Sequence, residues 1–189
     1  VHGGGKKAST LAEKLGVPPK MYEGRRITDN ATLEIVTMVY AGWMNKKAVS
    51  RLQALDCNAL GLSGADLNSI LAHKRTGWEI DYGWAGDIDT VNTDMLIQLL
   101  NLGITPVFCA ITHDKKGQLL NTNADTIASS VATALAKHYR VKLHYCFDRA
   151  GVLIDPQDNT SVIPNLDMTL YEQYKQAGII SDGLIPKLD

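Results

Sequence analysis

An α/β protein, a sheet covered by helices, is predicted by three observations. Strand-like apolar runs alternate with stretches of helical periodicity, and glycines and prolines punctuate the transitions. With 45% hydrophobic residues among 189, the chain can bury one sizeable core or two small ones sharing it.

Taken in order, residues 6–15 begin a helix with Leu11 and Leu15 on one face, before a turn at Gly16 and Pro18-Pro19. Asp29 and Asn30 offer caps for a second helix, where Leu33, Val36, Val39 and Tyr40 recur at helical spacing until Gly42. Asn45 offers a cap for a third, with Ala48, Val49, Leu52 and Leu55 toward the sheet. Strands fit Ala59 to Leu62, Val107 to Thr112 and Val141 to Tyr145; further helices fit 94–102, 126–137 and 169–177. Residues 73–90 break this rhythm with Trp78, Tyr82 and Trp84 among Gly77, Gly83 and Gly86. That stretch reads either as a hairpin or flap over a site or as an aromatic-packed edge excursion.

Composition excludes several function classes. With 19 basic and 20 acidic residues the formal charge is -1, which offers no electrostatic footprint for DNA or RNA. No apolar run reaches transmembrane length, and no signal segment is visible. Cys57, Cys109 and Cys146 are widely spaced in apolar surroundings and read as free thiols of a cytosolic protein. His2, His73, His113, His138 and His144 are dispersed without metal spacing, so no metal site is expected and zinc hydrolases and catalytic triads are disfavoured. Asp87 and Asp89 read as a carboxylate pair or an exposed turn.

Two segments suggest chemistry. Val1-His2-Gly3-Gly4-Gly5-Lys6-Lys7 runs from a strand end through three glycines into a helix, so a polyanion can approach backbone N–H groups at a positive helix terminus. The glycines also suit a plain tight turn, which His2 would support. Leu119-Leu120-Asn121-Thr122-Asn123-Ala124-Asp125-Thr126 interrupts a strand-to-helix transition with short polar side chains. Asn123 competes between capping that helix and touching a ligand.

These two segments, with Gly24-Arg25-Arg26-Ile27-Thr28-Asp29, Leu60-Gly61-Leu62-Ser63-Gly64, Asp148-Arg149-Ala150-Gly151 and Gly178 to Lys187, closely resemble the N-acetylglutamate kinases of the amino acid kinase family, in order and spacing along nearly the whole chain. The resemblance implies a three-layer sandwich with a central, mostly parallel sheet. It implies an acylamino-acid-binding and dimerisation half at 1–137 and the start of a nucleotide-binding half at 138–189. The resembled kinases carry a strand and a Lys-x-Gly-Gly element before this start and continue past Lys187, so a longer parent protein is expected.

The implied reaction moves the γ-phosphoryl group of ATP, carried with Mg2+, to the side-chain carboxylate of N-acetyl-L-glutamate in cytoplasmic arginine biosynthesis. N-succinyl-L-glutamate is the alternative acceptor, and a catalytically silent ligand-binding relative is the non-enzymatic one. A carboxylate is already nucleophilic, so alignment and charge cancellation are required rather than a general base. By the resemblance, Gly4 and Gly5 donate backbone N–H groups to the phosphoryl oxygens, Asp125 orients catalytic lysines and Lys187 neutralises phosphate charge. Arg26 and Asn121 bind the amino-acid substrate. Asp148, Gly151 and Gly183 face the nucleotide, with Phe147 standing where the family has Ser or Thr. The 73–90 excursion lies near the acyl pocket; the sequence does not locate the cation a succinyl group would need there, and Lys74 or Arg75 would be a guess. A homodimer through the apolar helix 29–41 is expected.

Overall fold

The computed structural model describes residues 1–146, 149–180 and Leu184. Along the chain come α1 (Gly5–Lys14), β1 (Lys20–Tyr22), β2 (Arg25–Ile27), α2 (Asn30–Thr37), α3 (Asn45–Gln53), β3 (Ala59–Leu62), β4 (Ile70–Lys74) and β5 (Gly86–Val91). They are followed by α4 (Thr93–Asn101), β6 (Thr105–Phe108), β7 (Ile111–His113), β8 (Leu119–Asn121), α5 (Ala124–Leu135) and α6 (Met168–Gln176). The chain divides into two compact units, Val1–Val141 and Lys142–Asp189.

Four helices start at side-chain caps. Asp29 accepts the Thr32 N–H at 2.9 Å, Asn92 that of Met95 at 3.2 Å, Asn123 that of Thr126 at 3.0 Å and Asp167 that of Leu170 at 2.9 Å. Each bond satisfies a first-turn donor that has no partner within its helix. The end expected for α2 at Gly42 is not there. A π-helical stretch, Met38–Met44, joins α2 to α3, and Asn45 sits within this continuous rod at helical angles instead of capping it. Burying Val39 and Tyr40 outweighs the roughly 1 kcal/mol that one glycine costs a helix.

The strands form small mixed sheets. In the four-stranded one, ordered β5-β4-β7-β8, β4 runs antiparallel to β5 and parallel to β7, and β7 antiparallel to β8. β3 and β6 pair in parallel, and His2 makes a parallel bridge to Cys109 beyond β6. The single strand expected over Val107 to Thr112 divides at Cys109-Ala110, where the chain leaves β3 and takes β4 and β8 as neighbours. β1 and β2 form a hairpin absent from the sequence expectation. The strand expected at Val141 to Tyr145 does not form: residues 141–146 carry no regular secondary structure, and Val141 and Leu143 are exposed. An alternating apolar pattern does not by itself make a strand, because β-propensity depends on context.

Two apolar clusters form in the first unit. Ala8 and Ala12 of α1 and Leu33, Ile35 and Val36 of α2 pack with Cys109, Ala110 and Ile111. Met95, Leu96 and Leu99 of α4 and Ile127 of α5 pack with Leu62, Ile70 and Phe108. Each fully buried aliphatic side chain contributes about 1.5–3 kcal/mol. The second unit contains an antiparallel bridge between Leu153 and Val162 and the helix α6, with Tyr171 and Ile180 buried.

Candidate active site

Within the first unit, a cleft of about 280 Å³ opens between Gly3-Gly4-Gly5, the β1–β2 hairpin, Tyr40 and the segment Asn121 to Asp125. Two helix N-termini meet there, since the positions of Cβ atoms on Gly3 and Ala124 lie 3.6 Å apart. Gly4 precedes α1 without any side-chain cap, so the first-turn N–H groups of that helix keep no side chain of their own. Both termini bring positive potential to one cleft. At Gly4 a Cβ would stand 2.8 Å from a Tyr40 ring carbon and 2.5 Å from the Met44 sulfur, so the backbone is held close against the π-helical stretch. At Gly5 a Cβ would meet nothing, so no protein atom there demands glycine.

Arg26, on β2, reaches across to α1: its Nη2 donates to Ser9 Oγ at 2.8 Å and to the Gly5 carbonyl at 3.2 Å. Its Nη1 is buried and, among the described residues, meets no acceptor within hydrogen-bond distance. An unpaired buried guanidinium donor in a polar cleft is costly unless a ligand acceptor completes it. Tyr40 lies beside this guanidinium; burial raises its phenol above the ordinary value, and the charge and hydrogen bonding of Arg26 oppose that effect.

Asn121 ends β8 and donates from Nδ2 to Thr28 Oγ1 at 3.0 Å. Thr28, fully buried, also exchanges backbone bonds with the excursion: its N–H donates to the Tyr82 carbonyl at 2.9 Å, and its carbonyl accepts the Trp84 N–H at 2.7 Å. The Trp84 carbonyl in turn accepts the Asn121 N–H at 2.8 Å. Residues 73–90 are therefore a hairpin, β4 and β5, whose connecting loop is laced to the cleft wall. Trp78 packs edge-on against buried Tyr82 with ring centres 5.9 Å apart. Arg75 lines the cleft, forks onto Asp87 at 2.6–3.1 Å and lies 5.7 Å from the Tyr82 ring. Asp87 and Asp89 are on strand β5, not in a turn, and serve different partners, Arg75 and His73.

Of the residues expected to act, Gly4, Gly5, Arg26, Asn121 and Asp125 all line this one cleft. Asn123 does cap α5, which leaves Asp125 in the first turn of that helix. Gly151 is in the second unit, where a Cβ would stand 2.8 Å from a Val162 methyl group, and Arg149 donates to Asn159 at 2.8 Å. Asp148, Gly183 and Lys187 lie outside the described residues. Tyr40 and Thr28 are not singled out as site residues by the sequence, and Arg75 is singled out only as a cation for a succinyl group. Thr28 was detectable as the end of the Gly-x-Arg-x-Thr pattern, and Arg75 as a cation beside aromatics; Tyr40 reads as ordinary helix core. Among the described residues no group of three His, Cys, Asp or Glu could hold a metal ion, and no helix is long and apolar enough to cross a membrane.

The chain is 54% identical over 189 residues to the acetylglutamate kinase of Parabacteroides distasonis, covering all of this chain and 74% of that one. It is 52% identical over 190 residues to the acetylglutamate kinase of Cytophaga hutchinsonii, covering all of this chain and 72% of that one. A crystal structure from Streptococcus mutans UA159, smu.665, superposes with a TM-score of 0.85 at 25% identity, over 99% of this chain and 73% of that one. The profile of the Amino acid kinase family matches residues 1–189. With that match across its whole length, the chain belongs to the amino acid kinase family.

Proposed function

We propose that this protein is an ATP-dependent acetylglutamate kinase, which transfers the γ-phosphoryl group to the side-chain carboxylate of N-acetyl-L-glutamate. Relatives of that name at about half identity over the whole chain support the reaction. The observation that carries the site is the meeting of two helix N-termini with the unpaired Arg26 Nη1. That geometry suits two anions brought together.

In this reading Arg26 holds the substrate α-carboxylate through Nη1, and Asn121 binds the same amino-acid moiety. The side-chain carboxylate attacks the γ-phosphorus, an O–P bond forms, the bond to the β,γ-bridging oxygen breaks, and ADP leaves without any proton being removed. Gly4 and Gly5 N–H groups take the negative charge of the moving phosphoryl. Asp125 orients cationic groups, Lys187 neutralises phosphate charge, and Asp148, Gly151 and Gly183 serve the nucleotide. ATP brings Mg2+ on its own phosphates.

The same proposal extends to a three-layer sandwich with a central, mostly parallel sheet. The α1–α2 cluster on Cys109 to Ile111 and the α4–α5 cluster on the preceding Phe108 support that layering. It includes division near 137, a homodimer and a cytoplasmic location. Exposed Met38 and Trp43 on the α2–α3 rod support the dimer, and three free cysteines support the location.

One observation favours N-succinyl-L-glutamate as a second reading: Arg25 lines the cleft and, among the described residues, has only the Trp78 ring, 5.4 Å away, as a partner. A succinyl carboxylate would complete it, whereas Arg75 is already matched by Asp87. Side-by-side kcat/KM values for both acceptors, using the full gene product with Mg-ATP, test this. A clear succinyl preference replaces the acetyl assignment; turnover of neither, with ATP still bound, rejects the kinase.

A further inference from the structure

The residue ahead of the glycines is built into a chain of hydrogen bonds whose direction can be read. Asn45 Nδ2 lies 2.8 Å from the Val107 carbonyl oxygen and 3.1 Å from His2 Nε2. Val107 O can only accept, so the Asn45 amide must turn its NH2 toward it; the reverse orientation would set two acceptors face to face. The second hydrogen of that NH2 then points to His2 Nε2, which must be the unprotonated nitrogen. A neutral His2 consequently carries its proton on Nδ1, and Nδ1 lies 2.8 Å from the Gly3 carbonyl oxygen.

Nothing in this chain is free to slip. The Asn45 amide is almost wholly buried, and Gly61 packs directly on Oδ1, where a Cβ would stand only 1.8 Å away. His2 is tied by its backbone as well, its N–H donating to the Phe108 carbonyl at 2.9 Å. The π-helical stretch sets the register: it ends immediately before Asn45 and brings Tyr40 and Met44 against Gly4 while Asn45 meets His2. Burial holds the His2 imidazole below the ordinary histidine range, the Gly3 bond opposing it, which agrees with a neutral ring.

We propose that His2 and Asn45 are positioning residues: Asn45 fixes His2 as the Nδ1–H tautomer, and that N–H holds the Gly3 carbonyl, and with it the Gly3–Gly4 peptide plane, in the orientation needed for phosphoryl transfer. The Gly3 carbonyl and the Gly4 N–H belong to the same rigid peptide unit, so a bond that fixes one aims the other. His2 is thereby separate from any proton transfer. This inference rests on the kinase reading for its kinetic consequence but not for its hydrogen bonds.

Nitrogen-15 NMR of histidine-labelled full gene product, without substrate, reads the tautomer directly. A proton on Nδ1 and none on Nε2 is expected for His2, and a proton on Nε2 overturns the proposal. In kinetics, His2→Leu should lower kcat at least about tenfold while the KM for N-acetyl-L-glutamate stays within about threefold, since Arg26 and Asn121 are untouched. His2→Asn places an amide N–H near the Nδ1 position and should recover most of the loss. His2→Gln, which matches Nε2 instead, should not, and it replaces His2→Leu should that variant fail to fold. Full kcat in His2→Leu or His2→Gln, a loss confined to KM, or equal losses in His2→Asn and His2→Gln contradicts the positioning role. An inactive wild-type protein showing the Nδ1–H tautomer would reject the kinase reading and the kinetic role while leaving the hydrogen-bond assignment intact.

Discussion

Gly83 lies against Thr28 with no space for a side chain: a Cβ on Gly83 would stand 2.2 Å from the Thr28 carbonyl oxygen, at a backbone φ of +66°. This contact fastens the β4–β5 loop to the strand residue that also receives Asn121. Gly83→Ala should therefore cost on the order of 1–3 kcal/mol and raise the KM for the acylamino acid as the loop lifts from Thr28. Gly77→Ala is the comparison, with φ +83° but open space around its Cβ, so it incurs only the backbone cost of about 1 kcal/mol. Chemical denaturation and KM for the two variants check the difference; equal effects would show that the Thr28 contact is immaterial.

The unpaired Nη1 of Arg26 leads to a prediction about shape rather than charge. Arg26→Lys keeps the cation but loses the fork that spans Ser9 and Gly5 and, in the proposed role, a substrate carboxylate. KM for N-acetyl-L-glutamate should rise roughly tenfold or more, with the KM for ATP unchanged. Initial-rate kinetics varying each substrate in turn would reveal an equal rise in both, which the assigned role does not allow.

Asp29 supplies the cap that begins the α2–α3 rod, and Asp29→Ala should destabilise the protein by about 1 kcal/mol at neutral pH. The Thr32 backbone bond holds the Asp29 carboxyl below the usual carboxylate range. A depressed folded-state value means that this stability is present above the ordinary aspartate range and is lost as the pH falls through the folded value. Denaturant midpoints of wild type and variant should converge in acid; a gap that widened there would contradict the cap.

Cys109 is fully buried, and burial raises its thiol to about 11. At pH 8 roughly one molecule in a thousand carries the thiolate, so the native protein should withhold Cys109 from a thiol reagent that labels exposed Cys146. Peptide mapping after brief labelling distinguishes them, and denaturant should abolish the difference.

The contrast between Asn123 and Asn45 shows how far the site was legible. Asn123 sits between a strand and a periodic helix, so local chemistry suffices to make it a cap, and it is one. Asn45 carries the same local signal after Gly42, yet its side chain is claimed by Val107, 62 residues away, and by His2. Tertiary contact overrides a cap preference worth about 1 kcal/mol. Motif and resemblance both point to Arg26 and Asn121, and both line the cleft. Arg75 could not be assigned, since its Asp87 partner becomes adjacent only when β4 and β5 pair. The alternating run at 141–145 predicts a strand on pattern alone, and none forms there, since β-propensity is set by context more than by the pattern.

The most direct test of the central claim, that the Arg26 cleft joins an acylamino acid to the phosphoryl group of ATP, is hydroxylamine trapping of the product. The full gene product with Mg-ATP and N-acetyl-L-glutamate should yield N-acetylglutamyl hydroxamate in step with ADP, and Arg26→Ala should nearly abolish it at substrate levels that saturate the wild type. ADP released without hydroxamate, or hydroxamate formed equally well by Arg26→Ala, would contradict the account.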